Sequence, residues 1–149
     1  MLLNTDGSVT SLLEASFAAP VAVETRTNTV DHGRPRSLRR TAILRNAATG
    51  RPLLRASSEL ALDRLPPAAR TALLAGTDPI GAVLRAARLE TRREILHHTT
   101  DSATADDAAE LEVDEGSPVY ERTYQIVSYS RRLAVVTERV PASLFAEAA

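Results

Sequence analysis

The chain closes with two long alternating stretches, Val119–Tyr129 and Arg132–Val140, joined by Ser130. Period-two alternation of that length, rich in Val and Thr, predicts a β-hairpin with one buried face. Its register is strict, because a one-residue slip would turn the apolar set toward water. On the inward face stand Ala134, Val136, Glu138 and Val140. A carboxylate in an apolar row is costly unless it is paired, protonated or in use. Arg40 has a similar setting, sharing a face of another predicted strand with Leu38, Ala42 and Leu44. Opposite charges on inward faces of one small domain point to an interior polar site for a small molecule.

Other elements surround this pair. Asp6-Gly7-Ser8 is a turn that Ser8 or Thr10 can convert into a capped helix, with Val9, Leu12, Leu13 and Phe17 as its apolar stripe. Val21–Val30 reads as a strand that stops at Asp31-His32-Gly33. Leu38–Asn46 and Leu53–Leu62 read as a second and third strand, joined as a hairpin through Ala47-Ala48-Thr49-Gly50. Pro66–Ala75 predicts a helix stopped by Gly76, and Asp78-Pro79 starts another that runs to Ala87. Leu89–His97 alternates as a strand. The acidic run Thr100–Glu115 holds a helical turn or two at Asp106–Leu111, broken by Gly116-Ser117-Pro118. Pro141 ends the sheet, and Ser143-Leu144-Phe145 forms a final turn. About six strands with clustered helices, and no regular βαβ alternation, predict an α+β fold with a mostly antiparallel sheet.

Composition narrows the chemistry. The 149 residues suit one domain, and a chain of this size buries roughly 68–70% of its unfolded surface, enough for a core with a cavity. The net charge of −1 gives no general attraction to nucleic acid or acidic membranes. With no Cys, thiol nucleophiles, disulfides and Cys-based metal sites are excluded. All 18 basic residues are Arg, so no lysine Schiff base can form. No stretch approaches the roughly 20 apolar residues of a membrane span. Met1–Asp6 lacks the features of a signal peptide, which makes the cytoplasm the default location.

Four segments, in order and spanning nearly the whole chain, carry a family resemblance. They are Val9-Thr10-Ser11-Leu12-Leu13-Glu14-Ala15; Arg40-Thr41-Ala42-Ile43-Leu44-Arg45 followed by Thr49-Gly50-Arg51-Pro52-Leu53; Pro79-Ile80-Gly81 leading into Leu89-Glu90-Thr91-Arg92-Arg93-Glu94-Ile95; and Leu133–Pro141 with Thr137-Glu138, then Ser143-Leu144-Phe145. With these, residues 1–149 resemble the chorismate lyase (4-hydroxybenzoate synthase) family, in its shorter bacterial and archaeal branch. The ligand-sensing domain of GntR-type regulators shares that fold. The resemblance implies a single domain with a six-stranded antiparallel sheet, helices on one side, and a helix-turn-helix flap, roughly Pro66–Ala87, over an internal ligand cavity. It implies that Arg40 binds a ring carboxylate and that Glu138 faces the ring oxygen. It places Ile80 and Val9 at backbone contacts with the ligand, and Gly81 where the flap approaches it. Arg92 matches a second family arginine, although alternation with Leu89, Thr91 and Ile95 points Arg93 inward instead.

The activity so implied is elimination of pyruvate from chorismate to give 4-hydroxybenzoate. Aromatisation drives it, so no cofactor, metal or covalent intermediate is required. The partner is the small molecule alone, with no nucleic acid or membrane, and the protein is expected as a monomer or weak homodimer. Alternatives inside the fold are a lyase for an amino-substituted chorismate relative and a non-catalytic module that binds aromatic acids. The residues also admit plainer roles. Glu138 could be the structural half of a salt bridge with Arg122 or Arg40, and Arg39-Arg40 an exposed pair at a strand start. Arg92-Arg93 between Glu90 and Glu94 could be a solvated strand face. His97 and His98 point to opposite faces of a strand and cannot readily share a metal ion. Ser130 and Ser143 lack partners at a hydrolase spacing, and no glycine-rich phosphate loop is present.

Overall fold

The computed structural model describes residues 21–144; the expected N-terminal helix with Val9, and Phe145 of the final turn, lie outside them. Six strands, β1 (Val21–Asp31), β2 (Ser37–Asn46), β3 (Pro52–Ala61), β4 (Arg92–Ser102), β5 (Pro118–Ser128) and β6 (Arg131–Pro141), form one sheet. Its spatial order is β1-β2-β3-β6-β5-β4, and all neighbours are antiparallel. Among the described residues, three α-helices accompany it, α1 (Pro67–Ala75), α2 (Ile80–Ala86) and α3 (Ala105–Leu111), besides a 3-10 turn at Leu62–Arg64. The fold is α+β, as the alternation and the resemblance both led us to expect.

The topology places the flap. The chain leaves β3 in the middle of the sheet and next pairs at β4, on the far edge beyond β6 and β5. The connection therefore crosses one sheet face, and α1 and α2 are that crossing. Pro67 sits at the start of α1, where its missing N–H costs nothing, and Gly76 ends the helix with a φ of 74°. From β1, the Asn28 amide donates to the carbonyls of Leu73 and Leu74, both at 3.1 Å, satisfying the end of α1. Ala69 and Leu73 of α1 and Val83 and Leu84 of α2 pack onto Leu38, Leu60, Ile126, Ala134 and Val136 of the sheet. A second cluster, Leu44, Leu53, Leu54, Val140 and Leu144, fills the other end of the sheet.

Helix α3 is held differently. Thr104 and Asp107 form a reciprocal cap, with Asp107 N–H donating to Thr104 Oγ1 at 3.1 Å and Thr104 N–H donating to Asp107 Oδ2 at 2.9 Å. The same Asp107 carboxylate receives Arg55 at 2.7 Å and Arg139 at 2.8 Å. Arg139 follows Glu138 along β6 and so points to the opposite sheet face. Helices on one side thus describes α1 and α2, whereas α3 is tied to arginines of the other face.

Two boundaries differ from the alternation reading. Strand β4 begins at Arg92 and runs to Ser102, whereas Leu89–His97 was expected; Leu89 packs on the core before the strand starts. The extension into the acidic run follows from pairing, since Thr99 to Ser102 find partners along Glu121 to Pro118. The final hairpin turns through Tyr129 and Ser130, both at positive φ (49° and 64°), as a two-residue loop requires.

Candidate active site

The strand pairings align the inward face row by row. Arg40, Ser58, Val136 and Tyr124 lie across β2, β3, β6 and β5 in one row, and Ala42, Ala56, Glu138 and Arg122 in the next. With neighbouring strands 4.7–4.9 Å apart, Arg40 and Glu138 stand about 12 Å apart at Cα, and both line one cavity, Arg40 reaching toward β1 and the flap and Glu138 toward β5. Above this face, Pro79, Ile80, Gly81, Ala82 and Arg85 of the flap close a cavity of about 210 Å³. Its wall includes Arg40, Arg93, Tyr124 and Glu138 together with Ala42, Ala56, Ile126 and Val136. The volume lies below the roughly 300–1,000 Å³ of pockets for drug-sized ligands, and the apolar walls with a few charged groups suit one small ring bearing acidic groups.

Arg40 is 3% exposed. Its Nη2 donates to the carbonyl of Asp78 at 2.7 Å and to Thr25 Oγ1 at 3.2 Å, which ties β2 to the link between α1 and α2. Its Nη1 is buried without a hydrogen-bond partner. Burial pulls the Arg40 pKa down, and nearby Asp78 partly restores it; a guanidinium starts so high that it stays charged. A buried, charged donor with one nitrogen unpaired is an uncommon arrangement, and it is the arrangement an incoming carboxylate would complete.

Glu138 is 6% exposed and Arg122, beneath it, 0%. Arg122 donates through Nε at 3.2 Å and Nη2 at 3.0 Å, both to Oε1 of Glu138. Among the described residues, the other oxygen, Oε2, receives only the longer bond from the Tyr124 hydroxyl at 3.4 Å. Burial pushes the Glu138 carboxyl above its ordinary range, and Arg122 and Arg93 pull it back in part. Burial also raises the Tyr124 phenol, and Glu138 adds to the rise. The Arg122 guanidinium lies 4.7 Å from the Tyr124 ring centroid and that of Arg93 5.7 Å, both within cation–π range. The salt-bridge role expected for Glu138 is therefore present, with Arg122 as the partner, and the same carboxylate lines the cavity.

The second arginine is a correction. The resemblance favoured Arg92, but its side chain is 66% exposed and bonds Glu94 at 2.6 Å. Arg93 lines the cavity instead. The reason is the register: Arg93 pairs with Ile126, an inward residue, so its neighbour Arg92 must face out. Arg93 Nε is buried and has no hydrogen-bond partner. Ile80 and Gly81 line the cavity, and Val9 lies outside the described residues. The sequence offered Arg122 only as a candidate salt-bridge partner of Glu138 and showed no sign of Tyr124 or Arg85 at the site. Arg122 carried a usable signal, since it alternates with Tyr120, Tyr124 and Ile126 much as Glu138 does with its apolar row. Among the described residues, no three His, Asp or Glu side chains gather to hold a metal ion.

Comparison with known proteins decides the family. The family model described as "Chorismate pyruvate-lyase Rv2949c-like" matches residues 3–146. The chain belongs to this family. No curated protein matches it. Among solved structures, the chain is similar to PhnF from Mycobacterium smegmatis, with a TM-score of 0.74 at 12% identity over 94% of this chain and 66% of that one. The effector domain of the same PhnF gives 0.70 at 14% identity, over 92% of this chain and 90% of that one. A GntR-family transcriptional regulator from Enterococcus faecalis gives 0.59 at 13% identity, over 82% and 94%. At these identities the likeness shows a shared fold. No helix among the described residues is long and apolar enough to cross a membrane.

Proposed function

We propose that this protein is a lyase that eliminates pyruvate from chorismate and leaves 4-hydroxybenzoate. The observation that carries the reading is one small cavity lined from different strands by a buried arginine with an unpartnered nitrogen, Arg40, and a buried carboxylate, Glu138. Membership of the lyase family supports it. Chorismate is a ring dianion with one carboxylate on the ring and another on an enolpyruvyl ether. Arg40 takes the ring carboxylate, and Arg93 replaces Arg92 as the candidate for the other. Ile80 and Gly81 bring flap backbone against the ring, and Val9 remains a candidate contact from the N-terminal segment.

The reaction is an elimination that needs no other reactant and is redox-neutral in sum. The C4–H bond and the C3–O ether bond break, the ring becomes aromatic, and the released enolpyruvate takes a proton on its methylene carbon to become pyruvate. Glu138 is the cavity group suited to accept the C4 proton, and the raised pKa brings it closer to neutrality, where a base works best. Arg122 fixes Oε1 and leaves Oε2 to act. The flap and the apolar walls keep out water and hold the leaving group over the ring. An amino-substituted chorismate relative would satisfy the same charges. The test couples pyruvate release to lactate dehydrogenase. Turnover by the wild type, lost in Glu138→Gln while 4-hydroxybenzoate still binds, supports the lyase. Tight binding of 4-hydroxybenzoate with no pyruvate assigns the chain instead to the sensing modules whose fold it shares.

A further inference from the structure

A third arginine faces the cavity from the flap. Arg85 lies in the last turn of α2, at the exposed rim, while Arg93 rises from β4 opposite it. Gly81, one turn before Arg85, lets the two side chains meet. A Cβ placed there would stand 3.0 Å from Arg93 Nη2 and 3.3 Å from Arg85 Nη1. Two guanidinium ends thus flank one point beside the flap backbone, close enough for a single carboxylate to bridge both. Neither makes an ion pair with a carboxylate among the described residues, and Arg93 Nε is buried without a partner. Among the described residues, Glu138 is the one acid that lines the cavity, and it is already bonded to Arg122. The wall therefore carries a surplus of positive charge at a place where like charges repel across the seam between flap and sheet.

We propose that Arg85 is a specificity-determining latch: the second carboxylate of a doubly charged ligand bridges Arg85 and Arg93 and clamps α2 onto the sheet. Singly charged ring acids reach Arg40 but leave the seam repulsive. The site then prefers dicarboxylates, and departure of the group that carries the second carboxylate unlatches the flap. This deepens the lyase reading and rests on it for the identity of the dianion, but the charge preference is measurable without turnover.

Two stable probes isolate the second carboxylate. 3-(Carboxymethoxy)benzoate carries an acid on the ring and another on an ether arm, and 3-methoxybenzoate lacks only the second. Calorimetric titration of the wild type is expected to show about tenfold tighter binding of the diacid, the scale of one charge-assisted hydrogen bond. Arg85→Gln should lose that preference with 3-methoxybenzoate affinity unchanged, and Arg85→Lys should recover part of it. Arg85 is exposed, so neither variant threatens the fold. Equal affinity of the wild type for both probes, an unchanged diacid affinity in Arg85→Gln, or an equal loss for both probes overturns the latch. Absence of pyruvate release alongside an intact diacid preference would refute the lyase reading and leave the latch standing.

Discussion

At the scale of single residues, Glu138 and Arg122 answer each other. A fully buried guanidinium next to a largely buried carboxylate is stabilised by their mutual bonding; removing Arg122 leaves the Glu138 charge without its salt-bridge partner. Arg122→Met should therefore cost about 3–5 kcal/mol in a denaturant titration, and Arg122→Lys less, since a cation remains. The same contact partly offsets the rise in proton affinity that burial gives the carboxyl. If Glu138 is the base, the acid limb of kcat/KM should lie above the ordinary Glu value of about 4.3, because burial raises it. Losing part of the Arg122 interaction should move that limb to higher pH in Arg122→Lys. A limb at or below the ordinary value, or one that Arg122→Lys leaves in place, would remove Glu138 from that role. Glu138→Gln should lower kcat by about 10²–10⁴ with little change in ligand affinity. Arg40→Ala should abolish binding of ring acids in a calorimetric titration; wild-type affinity would free Arg40 from carboxylate binding.

At the scale of elements, the two sheet faces are secured by opposite means. The flap is held by apolar packing and by Arg40 and Asn28 reaching its carbonyls, which leaves it able to yield to a ligand. Helix α3 is fixed by charge. Burial raises the Asp107 pKa, but Arg139, the Thr104 N–H and Arg55 outweigh it and bring the carboxyl down to about 2. A depressed folded value means that the stabilisation is complete above the unfolded pKa of about 4 and is lost as pH falls toward 2. Asp107→Ala should lower stability at pH 7 by about 1–3 kcal/mol, not more, since Arg139 keeps Glu121 and Asp101 and Arg55 keeps Glu110. It should also flatten the decline in stability between pH 4 and 2; an unchanged decline would show that other carboxylates set the acid limit. In the flap, Gly81→Ala meets only flexible guanidinium ends, so it should fold normally yet bind the diacid probe more weakly. Unchanged binding would show that the arginine seam has slack.

At the scale of the whole molecule, what was readable from sequence depended on the range of the signal. The strands and the α1–α2 pair were legible because alternation, proline starts and glycine stops act within a few residues. Arg40 and Glu138 were legible because each breaks an apolar row, and the strand pairings then bring those rows together. Arg93 was visible to alternation and hidden by the resemblance, which pointed to Arg92 one residue away. Arg85 could not be read, because the seven residues of α2 span fewer than two full turns and leave no clear periodicity. The tie of α3 to Arg55 and Arg139 joins residues distant in sequence, and only the folded sheet brings them into contact.

The central claim is that the cavity converts a ring dianion and does not merely hold it. The most direct measurement is mass spectrometry of the products after incubation with chorismate, isochorismate and aminodeoxychorismate side by side. The expected result is 4-hydroxybenzoate and pyruvate in equal amounts from chorismate, at a rate that Glu138→Gln lowers by about 10²–10⁴. Recovery of all three compounds unchanged from a protein that binds them would contradict it.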